Sequence, residues 1–280
     1  MLNVTVARPK ESAHMPLEDK RVVILCGGRG SRLGQITDAI PKPLVHIHDK
    51  PLLWYTFLIL HEHGFRQFIF PLGYKGEMIK EFINREFDRY DCKFHFADTG
   101  EDTPIAERLK MVLDYIPEKA DFFLVNGDTF FQFDLEKMYQ LHIKNDALLT
   151  LSSIELISKS GIILEENGKV VDFVREVRVP SFSFAYNHSL RGYIHTGLAW
   201  INKDAMRLID LETCGNLERE LFPKIIKMGR AVHYKLEGKK FAIETQQDLD
   251  IINQKIQSIH DIGDFVKKVK KELSDRQSLK

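Results

Sequence analysis

The segment of this sequence best suited to binding an anion is glycine-rich: GGRGSRL, residues 27–33. It directly follows RVVILC, a short apolar and largely β-branched run that is typical of a buried parallel strand. A glycine-rich turn at the carboxyl end of such a strand exposes several backbone N–H groups, and together these form a nest that binds phosphate. The spacing therefore predicts a phosphate site at the edge of a sheet.

Two common classes of phosphate-binding protein do not fit this segment. A dinucleotide-binding fingerprint would need a third glycine where Leu33 stands, and an acidic residue after the second strand, where the chain reads Leu72-Gly73-Tyr74. The P-loop pattern GxxxxGK[ST] is absent from the sequence as well. We therefore expect neither a dinucleotide cofactor nor a P-loop nucleotide triphosphatase.

Two cations follow the glycines closely. Arg32 lies within the loop, and Lys42 lies between two prolines in the sequence PKP. Because proline restricts its own φ angle and the conformation of the residue before it, we expect Lys42 to be held in extended backbone with its ammonium group aimed at one place.

The elements that position these residues alternate between strands and helices up to about residue 146. The pattern predicts strands over residues 21–26, 67–72, 94–97 and 121–128. It predicts helices between Pro51 and Gly64, over residues 76–87 and around residues 106–116. Such alternation indicates an α/β fold, with a mostly parallel sheet flanked by helices and right-handed crossovers.

The pattern changes after about residue 147. We predict a strand near residue 150, a hairpin with its turn at Asn167-Gly168, a loop over residues 180–190 and a strand over residues 193–201. A helix over residues 216–228 and two amphipathic tail helices follow. We expect a flexible extension over residues 1–20, one domain over residues 21–262 and a C-terminal helix over residues 263–280. Within the domain, residues 21–146 form a nucleotide-binding part and residues 147–245 a smaller, partly antiparallel acceptor-binding part.

Composition argues against nucleic acid and membranes as partners. The 280 residues contain 40 Lys and Arg and 40 Asp and Glu, so no global field would draw the protein onto a polyanion. The longest apolar run, which begins at Leu52, is too short for a membrane helix. Three scattered cysteines fit neither a disulfide framework nor a zinc site, which indicates a reducing, cytoplasmic location.

Several motifs resemble one known family. GGRGSRL followed by PKPL is similar to the signature of the sugar-1-phosphate nucleotidyltransferases. Within that family the glucose-1-phosphate cytidylyltransferase group is most similar, through the stretch KPLVHIHDKPLLWYTFLILHEHGFRQFIFPLGYKGEMIKEFI and through ADTGEDTPIAERLKMV and FFLVNGDTFFQFDL. The resemblance is strong over about residues 20–145 and weak beyond them. It implies the Rossmann-like nucleotide-diphospho-sugar transferase fold.

The resemblance also implies a reaction. Members of the family transfer a nucleoside monophosphate from a nucleoside triphosphate to a sugar 1-phosphate and release pyrophosphate. A phosphate monoester loses its second proton near pH 6, so it is already a nucleophile at neutral pH and no general base is required. The expected enzyme is a Mg²⁺-dependent cytidylyltransferase of nucleotide-sugar and polysaccharide biosynthesis, acting on CTP.

Roles for individual residues follow from the resemblance and the chemistry together. Arg32, Lys42 and Asp128 are the expected catalytic residues, and Asp128 and Glu244 are the expected Mg²⁺ ligands. Glu244 stands where relatives have an aspartate. The expected nucleotide-binding residues are Gly27, Gly28, Gly30, Ser31 and Arg108.

The acceptor end departs from the family pattern. Many relatives have a lysine for the sugar phosphate where this chain has Val177, within Arg175-Glu176-Val177-Arg178. We expect Arg175, Glu176 and Gly197 to bind the acceptor, with an arginine in place of the lysine.

The sequence is compatible with other functions as well. The acceptor could be another phosphorylated molecule, such as a polyol, a modified sugar or a small phosphate ester. The chain could also be a non-catalytic regulatory subunit that binds nucleotide sugars. The aromatic segment at residues 180–190 is compatible with a homo-oligomer interface, a lid over the sugar or a locally packed loop.

Overall fold

A computed structural model describes residues 17–30, 33–47, 50–132, 134–157, 162–174, 178–179, 182–184, 187–210, 215–236, 239–243 and 245–255. The helices are α1 Gln35–Ala39, α2 Leu52–Glu62, α3 Gly76–Phe87, α4 Ile105–Met111, α5 Leu135–Lys144, α6 Phe222–Lys227 and α7 Gln246–Lys255. The strands are β1 Arg21–Leu25, β2 His46–Ile47, β3 Lys50–Pro51, β4 Gln67–Leu72, β5 Lys93–Asp98, β6 Asp121–Asn126, β7 Thr129–Gln132, β8 Leu149–Ile154, β9 Leu156–Ile157, β10 Ile162–Glu166, β11 Lys169–Val174, β12 Arg178–Val179, β13 Phe182–Phe184, β14 Asn187–Gly192, β15 Ile194–Asn202, β16 Ala231–Lys235 and β17 Lys239–Ala242.

Seven strands form the central sheet, in the order β16-β8-β15-β6-β1-β4-β5. β1 pairs in parallel with β4 and β6, and β4 pairs in parallel with β5. β15 is antiparallel to both of its neighbours, β6 and β8, whereas β16 is parallel to β8. The predicted α/β fold with a mostly parallel, helix-flanked sheet is thus confirmed.

The sheet separates two apolar cores. Side chains alternate between the faces of a strand, and β1 therefore sends Val22 and Ile24 into one core and Val23 into the other. Trp200 on β15 is fully buried in the first core, where its ring stacks on Phe65 with the ring centroids 5.9 Å apart. Because helices cover both faces, the central strands are apolar along nearly their whole length.

Most of the predicted elements are found with their ends shifted by a residue or two. α3 spans the predicted residues 76–87 and follows Lys75, which adopts a left-handed conformation with φ 52°. Around the predicted turn, Asn167 and Gly168 both have positive φ, as a two-residue hairpin between β10 and β11 requires. The predicted second tail helix and the C-terminal segment lie outside the described residues.

The predicted loop at residues 180–190 is wrong in part. β13 and β14 form an antiparallel pair there, with Phe182 opposite Gly192. Phe182 and Phe184 alternate with Ser183, which is a short strand pattern with period two that the neighbouring polar residues obscure. Within the described ranges, no helix combines the length and apolar character needed to cross a bilayer.

Candidate active site

The loops that follow β1, β5 and β6 meet at one edge of the sheet and line a cavity of about 590 Å³. The carboxyl ends of parallel strands meet at the same edge, and ligands of open α/β sheets bind there. The lining includes residues of the glycine-rich loop, the PKP segment, the β5–α4 loop and the end of β6: Gly27, Gly28, Gly30, Lys42, Thr103, Arg108, Asn126 and Asp128.

Lys42 and Asp128 form an ion pair inside this cavity. Their side chains are only 16% and 20% exposed, so water screens the pair far less than it would at the surface. Lys42 begins a 3₁₀ turn, Lys42–Leu44, in which the Leu44 N–H donates to the Pro41 carbonyl at 2.8 Å. The predicted extended backbone at Lys42 is therefore wrong, because Pro41 is extended but the chain turns immediately after it.

Asp128 is held in place through the next residue, Thr129. The Thr129 hydroxyl lies 3.2 Å from Asp128 Oδ1, and the Thr129 carbonyl accepts a 2.8 Å hydrogen bond from Thr56 of α2. Because α2 is buried in the core, this bond fixes the chain directly after the carboxylate.

Gly30 brings the glycine-rich loop against the stem of Lys42. Its φ is +65°, and a Cβ at this position would lie 2.8 Å from Cβ of Lys42. Only glycine combines this left-handed conformation with so close an approach. The loop and the lysine are therefore positioned by one another.

Arg108 lies behind the same loop and is 4% exposed. Its guanidinium donates to four carbonyls and one hydroxyl, those of Gly27, Leu72, Glu101, Thr103 and Thr99 Oγ1. Burial lowers the pKa of this guanidinium, and the charges of Asp102 and Asp98 partly oppose that effect. The predicted contact of Arg108 with a nucleotide stays a prediction.

An ion-pair contact at the rim of the cavity was not predicted from the sequence. Arg29 pairs with Glu101 at 2.8 Å and with Asp102 at 3.5 Å, so it joins the glycine-rich loop to the β5–α4 loop. Its guanidinium carbon also lies 5.1 Å from the Tyr74 ring centroid. These partners are distant in sequence, and no local spacing could have indicated the contact.

Cys26 is buried at the base of the loop. Burial raises the pKa of its thiol, and the charge of Asp128 raises it further. A buried thiol that resists ionisation is a poor nucleophile, so Cys26 contributes apolar packing to the site.

Of the predicted acceptor residues, the structure describes Gly197. Its φ is +78°, and a Cβ at this position would lie 3.0 Å from the side-chain nitrogen of Asn126, which lines the cavity. Gly197 therefore lies next to the site, at the register shift of β15. Arg175 and Glu176 lie outside the described residues, as do Ser31 and Arg32 of the loop.

The predicted metal site is only partly covered by the structure. Glu244 lies outside the described residues, and within the described part of the chain no cluster of three metal-ligating side chains occurs. β17 nevertheless runs antiparallel to β7 and pairs Ala242 with Thr129, directly after Asp128. The oxygen donors present, Asp128 and the Asn126 amide, fit a hard cation such as Mg²⁺.

Comparison with known proteins agrees with this geometry. The model of the family described as nucleotidyl transferase matches residues 21–183, more than half of the chain. The chain belongs to the nucleotidyl transferase family. This nucleotidyl transferase is 29% identical over 253 residues to the "Probable glucose-1-phosphate cytidylyltransferase" of Bacillus subtilis (strain 168), covering 84% of this chain and 95% of the relative. The resemblance to the sugar-1-phosphate nucleotidyltransferases is thereby confirmed.

Other relatives carry names with a different nucleotide. The nucleotidyl transferase is 32% identical over 187 residues to the D-glycero-alpha-D-manno-heptose 1-phosphate guanylyltransferase of Campylobacter jejuni, covering 66% of this chain and 76% of the relative. The structure of HddC from Yersinia pseudotuberculosis superposes with a TM-score of 0.64 at 23% identity, covering 85% of this chain and 99% of HddC. That superposition shows the shared fold.

Proposed function

We propose that this nucleotidyl transferase transfers CMP from CTP to a sugar 1-phosphate, with pyrophosphate as the second product. The observation that carries the proposal is the mostly buried Lys42–Asp128 pair beside the glycine-rich loop, inside a cavity at the carboxyl edge of the sheet. A fixed cation, a carboxylate and a loop of backbone N–H groups are the groups that phosphoryl transfer needs for alignment and charge neutralisation.

In this proposal an oxygen of the acceptor phosphate attacks the α-phosphorus of the triphosphate while the bond to the bridging oxygen breaks. The N–H groups of Gly28, Gly30 and Ser31 hold phosphate oxygens. Arg32 stabilises the departing pyrophosphate, and Lys42 neutralises charge between the reacting phosphates. No proton has to be removed, because the acceptor phosphate is already ionised near neutral pH.

We further propose Asp128 and Glu244 as the residues that hold Mg²⁺, since carboxylate oxygens suit this ion. The pairing of β17 with β7 supports Glu244 as the second ligand. Ala242 pairs with Thr129, the residue directly after Asp128, and Glu244 follows Ala242 by two positions in the sequence. Bound Mg²⁺ would supply positive charge to the triphosphate. A chelator is expected to abolish turnover and added Mg²⁺ or Mn²⁺ to restore it.

CTP is the proposed nucleotide because the cytidylyltransferase-like stretches include the β5–α4 loop on the cavity wall. A site built to hydrogen-bond the cytosine edge should reject UTP, because a carbonyl in place of the amino group leaves buried polar groups unmatched at about 1–3 kcal/mol each. The guanylyltransferase among the relatives makes GTP the second candidate.

At the acceptor end we propose that Arg175, Glu176 and Gly197 bind the sugar phosphate, with Arg175 in place of the family's lysine. A dianionic phosphate beside a triphosphate needs a cation, and guanidinium offers two parallel hydrogen bonds where ammonium offers a point charge. The position of Gly197 against Asn126 supports this end of the cavity as the acceptor side.

One screen tests the proposal. Purified protein with Mg²⁺ would be incubated with CTP, UTP, ATP, GTP or dTTP, each with glucose 1-phosphate, a heptose 1-phosphate or a phosphorylated polyol, and pyrophosphate release would be measured. Release with CTP and a sugar 1-phosphate is expected. Higher turnover with GTP than with CTP would identify GTP as the nucleotide. Pyrophosphate release only with the polyol phosphate would identify that molecule as the acceptor. No release with any pair would favour a non-catalytic subunit.

A further inference from the structure

One guanidinium joins three separate chain segments at the back of the cavity. Arg108 of α4 contacts the glycine-rich loop through Gly27, the end of β4 through Leu72, and the β5–α4 loop through its remaining three acceptors. A buried arginine whose acceptors are carbonyls and a hydroxyl is bound by its full fork geometry, which no other side chain reproduces.

Two glycines leave space for this guanidinium. A Cβ at Gly27 would lie 2.2 Å from Arg108 Nη1, and a Cβ at Gly73 would lie 2.4 Å from the same atom. Neither glycine has positive φ, so backbone conformation does not require glycine at these positions. The close approach of Arg108 explains Gly27. At Gly73 the carbonyl oxygens of Gly100 and Gly27, each 2.7 Å from such a Cβ, exclude a side chain as well.

The contact with Gly27 determines the orientation of one peptide unit. The Gly27 carbonyl accepts hydrogen bonds from Arg108 Nη2 at 3.3 Å and from the Tyr74 N–H at 3.1 Å. In a planar trans peptide the C=O and the following N–H point in opposite directions. The N–H of Gly28 is therefore directed away from Arg108, and Gly28 lines the cavity.

We infer that Arg108 is a positioning residue of the nucleotide site, which presents the Gly28 N–H to a triphosphate without touching the base. The inference rests on the proposed function, in which the glycine-rich loop binds a triphosphate. It differs from the sequence prediction because Arg108 then acts on the nucleotide through the loop and does not contact it. Because the effect passes through a phosphate-binding N–H, loss of Arg108 weakens the binding of every nucleoside triphosphate by a similar factor. If Arg108 contacted the base directly, its loss would weaken the binding of one triphosphate selectively.

Two variants separate these outcomes. Arg108→Lys keeps the charge but cannot span three segments, and Gly73→Ala displaces the guanidinium and the Gly27 carbonyl that it binds without removing either. The control is Lys110→Ala, on the same helix, which loses a 2.7 Å bond to the Ile209 carbonyl away from the cavity. Affinities for CTP and for GTP would be measured by calorimetry, together with the melting temperature. For the triphosphate and acceptor that react, kcat and the KM of each substrate would be measured as well.

We expect Arg108→Lys to raise Kd for CTP and for GTP about tenfold each, with acceptor KM within about twofold, and Lys110→Ala to leave both Kd values unchanged. Gly73→Ala should reproduce the pattern of Arg108→Lys. An increase for one triphosphate alone would overturn the inference in favour of base contact. A lower melting temperature with unchanged Kd would reduce Arg108 to a structural role. Wild-type protein that binds triphosphate but never releases pyrophosphate would contradict the proposed function and leave this comparison intact.

Discussion

At the scale of single residues, the site depends on charges that the fold brings together from distant parts of the chain. Lys42 and Asp128 are 86 positions apart in sequence (128 − 42) and form a mostly buried pair. A buried charge whose partner is removed costs far more than an exposed one, so each residue of the pair depends on the other for its position.

Replacing Lys42 with alanine is expected to lower kcat by more than about 100-fold, because the ammonium is aimed at charge that develops in the transition state. The matched control is Lys80→Ala, whose ammonium pairs with exposed Glu77 at 3.6 Å, away from the cavity lining. Near-normal kcat in Lys42→Ala, with circular dichroism like that of wild type, would place the chemistry elsewhere.

Asp128→Asn is expected to abolish turnover at all Mg²⁺ concentrations, since an amide oxygen carries no charge for the metal or for Lys42. Glu244→Asp and Glu244→Gln test the second proposed ligand by Mn²⁺ affinity, measured from electron paramagnetic resonance. If both Glu244 variants bind Mn²⁺ as wild type does, Glu244 is not a ligand.

At the scale of elements, short turns decide where the functional groups point. Gly30 and Gly34 both have positive φ, but only Gly30 approaches Lys42; a Cβ at Gly34 would meet open space. The two positions therefore separate backbone strain from contact with the lysine.

Gly30→Ala and Gly34→Ala are both expected to lose at least about 1–2 kcal/mol of stability, because alanine is strained at positive φ. The larger loss is expected at Gly34, whose ψ of −135° lies outside the left-handed helical region. Only Gly30→Ala should also lower kcat, by more than about tenfold, because its methyl displaces the Lys42 stem. Urea unfolding and steady-state kinetics measure the two effects. Equal loss of kcat in both variants would assign the effect to strain alone.

At the scale of the whole molecule, a buried polar cluster stabilises the sheet at the edge opposite the site. Asp121, the first residue of β6, accepts hydrogen bonds from Asn202 at 2.7 Å and Tyr139 at 2.9 Å and lies 3.3 Å from His142. Burial raises the pKa of this carboxyl, but the hydrogen bonds and the charge of His142 outweigh burial, so the pKa is lowered overall.

Because the folded pKa of Asp121 is below its unfolded value of about 3.9, the ionised carboxylate stabilises the fold above that pH. This contribution is lost as pH falls through the folded pKa. Asp121→Asn is expected to lower the free energy of unfolding by about 1–3 kcal/mol at pH 7, and by less below pH 4. Unfolding by guanidinium chloride at pH 7 and at one pH below 4 measures these free energies. Exposed Glu118→Gln is the control, with little effect expected; an equal loss for Asp121→Asn at both pH values would contradict the assignment.

The sequence by itself determined the alternation of elements, the phosphate loop and the family, because these depend on local patterns: apolar periodicity, glycines after a strand, and PKP. Lys42 and Asp128 could be proposed from their type and position together with the family resemblance. Only the tertiary structure decided that they form a pair, that Lys42 begins a turn, and that Arg108 uses its donors on the backbone of three segments. The Lys42–Asp128 pair and the bonds of Arg108 to Leu72 and Gly27 join residues tens of positions apart. Contacts across such separations are set by packing, which no local spacing encodes.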